Sequence, residues 1–271
     1  MATPNIVPRS DSEGGLGTAA KYWASAYIDA VNAATYNGIP FYSDVTNNSM
    51  YTHNVSATDS TAQYNTAYGF AAMDAITTGD SNIAIGYAAL SAEDTGSRNI
   101  AIGESALSNL NYNGYGYNTA IGHNAGAAMT TGNQNTLVGG LAGDALTTGA
   151  GNTAMGYGAL SSEDAHGRNT AVGYNSLATL NVGGEGNNTA LGYKTGEGMT
   201  TGTLNTIIGA EAGDALTSGA RNVAIGASAL SAEDANGRNV AVGYAALLVQ
   251  DAGADAYNVA VGYEAGVAVT T

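Results

Sequence analysis

The chain has 271 residues, 39 Gly, no Cys and a formal charge of −15 at pH 7. Only 7 Lys and Arg face 22 Asp and Glu, which argues against a nucleic-acid or anionic-membrane partner. Disulfides are excluded, and neither a bilayer-length apolar run nor a basic-then-apolar leader is present.

Residues 1–64 stand apart from the rest. They hold all three Pro (Pro4, Pro8, Pro40), the only Trp (Trp23) and the densest aromatics. The first stretch is polar and turn-rich. Trp23, Tyr27 and Val31 recur at a spacing of four, which predicts a short helix over 19–34. Gly38 and Pro40 then break the chain. Two roles suit this segment: a cap over the open end of the repeats, which stacked architectures need, and a docking segment that joins the repeats to a larger body.

From Asn65 onward a five-residue theme recurs to the end of the chain. Asn stands at 65, 82, 99, 118, 135, 152, 169, 188, 205, 222, 239 and 258, and Gly follows four places later each time, from Gly69 to Gly262. The spacings run 17, 17, 19 and 17 and then begin again, so four short units make one long unit of 70 residues. A fixed period of this kind predicts an all-β solenoid of twelve stacked coils over 65–271, not a globule around one pocket. At about 4.8 Å per coil the shaft is roughly 55–60 Å long.

Each coil is numbered here from its Asn. Position one is Thr, Ile or Val; position two is Ala except at Leu137 and Ile207; position three is Ile, Val, Leu or Met, with Tyr68 in the first coil. This reads as a short β-branched strand followed by a turn. Position seven is Ala except at Ser176 and Thr195. Neighbouring strand residues point to opposite faces, so positions two and three give the strand two apolar flanks. The expectation is that the bulky row fills the coil's own interior and the Ala row packs on sister chains, most simply in a homotrimer. The Gly at position four suits a corner with positive φ or close backbone approach. The Asn column suits an amide ladder between coils. A left-handed hexapeptide β-helix is the competing fold. It needs an aliphatic every sixth residue, whereas the apolar positions here fall at three, eight and often eleven.

The long period adds three features. Ser91-Ala92-Glu93-Asp94, Ser161-Ser162-Glu163-Asp164 and Ser231-Ala232-Glu233-Asp234 share one rank, each followed by Arg98, Arg168 or Arg238. They read as polar outer turns with a local ion pair; a Ca²⁺ site is the sharper alternative. Asp74, Asp144 and Asp214 form a second acidic column. The 19-residue coils carry loops at 111–117, 181–187 and 251–257 whose length holds while their content drifts. That pattern suggests exposure and makes Tyr112, Tyr115 and Tyr117 the candidate receptor-contact residues. Tyr87, Tyr157, Tyr174, Tyr193, Tyr244 and Tyr263 follow the invariant Gly and predict an aromatic ladder. A sugar-binding stripe is the functional version of that column.

Catalysis finds little support. His53, His123 and His166 do not share a column, and no nucleophile elbow, phosphate loop or cofactor motif is present. The expectation is a protein that is not an enzyme and carries no cofactor or metal.

Asn118-Thr-Ala-Ile-Gly122-His-Asn-Ala-Gly126, Asn188-Thr-Ala-Leu-Gly192-Tyr-Lys-Thr-Gly196 and the Thr-Thr-Gly at 130–132 and 200–202 resemble the repeats of bacteriophage tail-fibre proteins, Asn258 and Gly262 being the last pair of the same structural repeat. They also resemble the β-roll heads of trimeric autotransporter adhesins. The opening Pro4-Asn5-Ile6-Val7-Pro8-Arg9-Ser10 and Lys21-Tyr22-Trp23-Ala24-Ser25-Ala26-Tyr27 is similar to N-terminal segments of phage fibres. The resemblance implies a homotrimeric virion fibre. Arg9, Lys21, Tyr22, Trp23 and Tyr27 would lie in a region attached to tail or capsid proteins, and the distal end would meet a host glycan or receptor. A capsid head fibre or decoration protein and a bacterial surface adhesin are the alternatives from the same class. An ice-binding solenoid is the alternative from another, resting on the partial Thr row from Thr66 to Thr206.

Overall fold

A computed structural model describes residues 35–36, 39–40, 42–44, 49–51, 61–165, 167–233 and 235–270. The predicted helix over 19–34 and the candidate attachment residues Arg9, Lys21, Tyr22, Trp23 and Tyr27 lie outside them, as do His53, His166 and Asp234. The chain divides at Ala34, and the second unit runs from Thr35 to Thr271.

That unit is an all-β solenoid. Strands β1 (Thr35–Tyr36) and β2 (Ile39–Pro40) form a small antiparallel pair. Strands β3 (Tyr42–Asp44) and β4 (Ser49–Tyr51) pair antiparallel, and β4 then lies parallel to β5 (Thr66–Tyr68). From β5 twelve repeat strands run in chain order up to β16 (Val259–Val261), each parallel to the one before. The register is kept throughout: Thr153 sits beside Thr170, Ala154 beside Ala171 and Met155 beside Val172. Insertion of two residues in the 19-residue coils does not shift it, since Ala101 still faces Ala120. Among the described residues no helix is long and apolar enough to cross a membrane.

Only three residues of each coil form a strand, and the rest are turns. One parallel sheet therefore runs the length of the shaft, in place of the three faces of a hexapeptide helix. The turns are tight enough that position six, position eight and the residue before each Asn take positive φ in many coils, as at Ala88 (52°), Leu90 (52°) and Ser81 (59°). Such values are costly for residues with a side chain. They are held because each turn is hydrogen-bonded to the coils on either side, as in Leu90 N–H to the Ala106 carbonyl at 3.0 Å.

The invariant Gly meets both of its expected demands. Gly86 has φ of 130°, and a methyl group there would stand 2.6 Å from the Gly103 carbonyl. The Asn ladder is also present. Asn99 N–H donates to Asn82 Oδ1 at 2.9 Å, linking one coil to the next. Asn82 Nδ2 donates to the Gly96 carbonyl at 2.8 Å, closing the coil on itself. The motif repeats through Asn118, whose Nδ2 reaches the Gly132 carbonyl at 2.9 Å and whose Oδ1 accepts from Asn135 N–H at 3.0 Å. Asn188 does the same with Gly202 and Asn205, at 2.9 and 3.0 Å. These amides are almost fully buried. Each therefore satisfies groups that would otherwise be desolvated and unpaired.

The two flanks of the strand are reversed relative to expectation. Position two is the interior row: Ala67, Ala84, Ala101, Ala120, Leu137 and Ala154 are all fully buried. Position three faces outward, and Ile85, Ile121, Met155 and Leu191 are exposed. The reason is volume. A 17-residue coil with one short strand encloses a narrow tube. The opposite wall supplies bulky buried residues at positions eight and eleven, such as Leu90 and Leu107, then Leu110, Met129 and Leu146. Only a small residue on the strand leaves room for them.

The two exceptions at position two support this reading. Leu137 is accommodated because position eight is Gly in its own coil and in the coil before it. A methyl group on Gly143 or Gly126 would come within 2.9 or 2.7 Å of the Leu137 side chain. One long unit later, Ile207 is matched by Gly213 and Gly196, at 3.3 and 3.4 Å.

Candidate functional site

The outward flank forms a continuous stripe. Positions one and three of the twelve coils contain no charged residue, on a chain whose net charge is −15. Its position-three row is Tyr68, Ile85, Ile102, Ile121, Val138, Met155, Val172, Leu191, Ile208, Ile225, Val242 and Val261, none of them buried. Beside it runs the aromatic column. Tyr157, Tyr174 and Tyr193 stack with centroids 5.8 and 5.5 Å apart and planes within 15°. Tyr244 stacks on Tyr263 at 5.2 Å, and Tyr87 on Phe70 at 6.1 Å. Within each ladder the ring faces are turned toward one another, so edges and hydroxyls meet solvent. Sugars stack on ring faces, which makes this column a poor sugar platform and a good rim for the stripe.

The acidic turns differ from the expected outer ion pairs. Glu93, Glu163 and Glu233 are fully buried, at position eleven, where the neighbouring coils hold Ile76, Leu110, Leu146, Leu180, Leu216 and Gln250. Glu93 Oε1 accepts from Gly96 N–H at 2.6 Å and Oε2 from Tyr112 N–H at 3.3 Å. Tyr112 lies in the loop of the first 19-residue coil, so the carboxylate satisfies a backbone donor of the widened coil. Burial raises the Glu93 carboxyl above its ordinary value, and these N–H donors offset part of that. Glu233 repeats the arrangement, accepting from Asn236 N–H at 3.2 Å and from Gln250 Nε2 at 3.0 Å. These N–H donors occupy lone pairs of the carboxylate oxygens that a cation would otherwise use. Among the described residues no group of three or more acidic or His side chains is placed to hold a metal ion. Asp144 and Asp214, in the second acidic column, are also raised by burial.

The Arg that follows each acidic turn reaches forward to the next coil. Arg168 pairs with Glu185 at 3.2 Å. Arg238 pairs with Asp255 and bonds Tyr257 Oη at 2.7 Å. Arg98 lies 4.0 Å over the Tyr115 ring and bonds Tyr117 Oη. Residues 115, 185 and 255 are equivalent positions, so the content of the loops varies while a clasp to Arg persists. The loops are therefore more constrained than drift at fixed length suggests. A further tie is Gly116 N–H to the Ser97 carbonyl at 2.9 Å. Tyr112 is half-buried against the core, whereas Tyr115 and Tyr117 are exposed. The sequence signal for the clasp was available: an Arg before the Asn in the same three coils that precede a long loop.

No protein-family model, curated protein or solved structure matches the chain.

Proposed function

We propose that the chain is a structural fibre subunit of a virion: a shaft that self-associates as a parallel homotrimer and holds a host-recognition surface away from the particle. The observation that carries this reading is the uncharged, unburied stripe on the outward flank of the sheet. A monomeric rod with a charge of −15 has no reason to keep both outward columns free of charge through twelve coils. A parallel in-register trimer has a strong one. Every residue on the axis would meet its own copies, and a single carboxylate would place three like charges together without water. The stripe is roughly 55–60 Å long at the coil rise. Each protomer in a trimer makes two contacts, which with the flanking Tyr rims reaches the scale of about 800 Å² per partner expected of stable interfaces.

The role is mechanical. Each coil is tied to its neighbours by the strand ladder, the Asn ladder and cross-coil turn bonds, so the shaft resists local opening and proteolysis. The N-terminal segment would attach to tail or capsid proteins, and the loops of the 19-residue coils would contact a host glycan or receptor. Attachment to the capsid as a head fibre uses the same architecture, and so does a bacterial surface adhesin.

The test is immuno-electron microscopy of particles from the lysate in which the chain is made, using antibody to the shaft. Label on the tail is the expected result. Label on the capsid would select the head-fibre version, and label confined to cell surfaces would select the adhesin. Absence of label from particles and surfaces would refute the structural role. Thermal hysteresis, measured on the same preparation, would redirect the stripe and its Thr row to ice.

A further inference from the structure

We infer that Arg98, Tyr115 and Tyr117 form a binding site for a carboxylate-bearing sugar. The inference rests on the reading that the long loops meet the host surface, and it names the chemistry they recognise there. The argument comes from comparing the three clasps. In the second and third, the Arg is neutralised by an acid at the equivalent position, Glu185 or Asp255. In the first, that position is Tyr115, and the guanidinium is held by a ring face at 4.0 Å and by the Tyr117 hydroxyl. Lys194 is likewise paired, with Glu197 at 3.0 Å. Arg98 is thus an exposed cation whose fork has no carboxylate partner among the described residues, on a strongly acidic shaft. Among the described residues Arg221 also lacks one, but there no ring is stacked on it.

The surroundings select a sugar over an acidic peptide. Tyr115 and Tyr117 are 60% and 48% exposed and meet edge to face, with centroids 6.0 Å apart and planes at 63°. Arg98 lies over the Tyr115 ring and 5.4 Å from the Tyr117 ring centroid, so the exposed parts of two rings beside a cation offer apolar contact for a pyranose and a charge-assisted contact for its carboxylate. Tyr112 braces the loop from below, its ring 3.3 Å from where a methyl group on Gly114 would sit. Asn111 and Asn113 are exposed on the same loop and supply amides for hydroxyl groups. The charge of the shaft opposes an anion at a distance, but that field is screened beyond about 8 Å at physiological salt, while the Arg contact is direct.

The experiment is ligand-observed NMR and calorimetry on the full chain with four probes: trigalacturonate, its methyl ester, sialyllactose and an oligoglutamate peptide. Binding of one or both acidic sugars is expected; where trigalacturonate binds, it should bind at least about tenfold tighter than its ester, the equivalent of one lost charge-assisted contact. Which acid binds distinguishes a uronic from a sialic source. Tyr115→Glu installs the acid that the second clasp already carries, so it should fold with an unchanged melting temperature and lose binding at least about tenfold. Arg98→Gln should lose it too. Overturning results are no binding of either acidic sugar, detectable and equal binding of trigalacturonate and its ester, undiminished binding by folded Tyr115→Glu, or binding of the oligoglutamate peptide alone. The site lies within one chain, so it should persist in a monomeric preparation. Its failure therefore leaves the trimer reading untouched, and the reverse also holds.

Discussion

The two flanks of the same strand obey different rules. The inner flank is almost one residue: Ala in ten coils, with Leu137 and Ile207 as the exceptions. The outer flank varies among Ile, Val, Leu, Met and Tyr, with Thr, Ile or Val beside them, and is uniform only in lacking charge. The inner wall is constrained by volume, because a narrow tube must also hold the residues of positions eight and eleven. The outer wall is constrained by polarity alone, as expected of a surface that is covered by something but not threaded through a fixed space. Uniform size thus marks the inside, and on the proposed reading the lack of charge marks a surface for self-association.

Substitutions on the two flanks should therefore fail in different ways. The largest effect belongs to the corner that joins them. Gly86→Ala would bring a methyl group 2.6 Å from the Gly103 carbonyl at a φ of 130°, and the backbone of two stacked coils would have to move. A loss of about 4 kcal/mol or more is expected, seen as a collapsed denaturation midpoint or insoluble chain. Next comes the buried ladder. Asn118→Ala leaves the Asn135 N–H and the Gly132 carbonyl without their partners, at a cost of about 1–3 kcal/mol for each group, measurable by urea unfolding.

A smaller, pH-dependent effect is expected inside the tube. Burial raises the Glu93 carboxyl from its ordinary 4.5, so the folded chain holds that proton at a pH where the unfolded chain has lost it. The associated stability is fully present below the unfolded value and is lost as pH rises through the folded one. The melting temperature of the native chain should fall across that window, with Asp144 and Asp214 contributing in the same direction. Glu93→Gln should flatten part of this slope, and an unchanged slope would contradict it. The smallest effect on a coil's own stability is expected outside. Met155→Asp sits on an exposed side chain and should change the unfolding of a single chain by about 0.5 kcal/mol or less, while abolishing self-association. If it instead destroyed the fold, the distinction between flanks would be lost.

Much of the fold was legible because it is periodic. Asn at twelve stations, with Gly four places on, fixes the number of coils, the parallel register and the amide ladder. The direction of the strand was not legible from its two apolar flanks alone, since alternation says that positions two and three point apart and not which is inside. The missing information was volume, and it lay in the pairing of Leu137 with Gly126 and Gly143 and of Ile207 with Gly196 and Gly213. The acidic turns misled for a similar reason. Glu93 looks like a surface residue by type, but it occupies position eleven, where Leu110, Met129 and Leu146 are buried. Its partner is a backbone donor in the next coil, which side-chain composition does not reveal. The Arg clasps link residues 17 or 19 apart, a spacing that becomes contact only once coils are stacked.

Sedimentation equilibrium of the purified full chain in dilute buffer, with Met155→Asp run beside it, addresses the central claim most directly. The account predicts three chains of 26.9 kDa in the native particle and a folded single chain for the variant. A native chain that is folded and monomeric at all concentrations would contradict it, because the uncharged stripe would then be stable in water with nothing covering it.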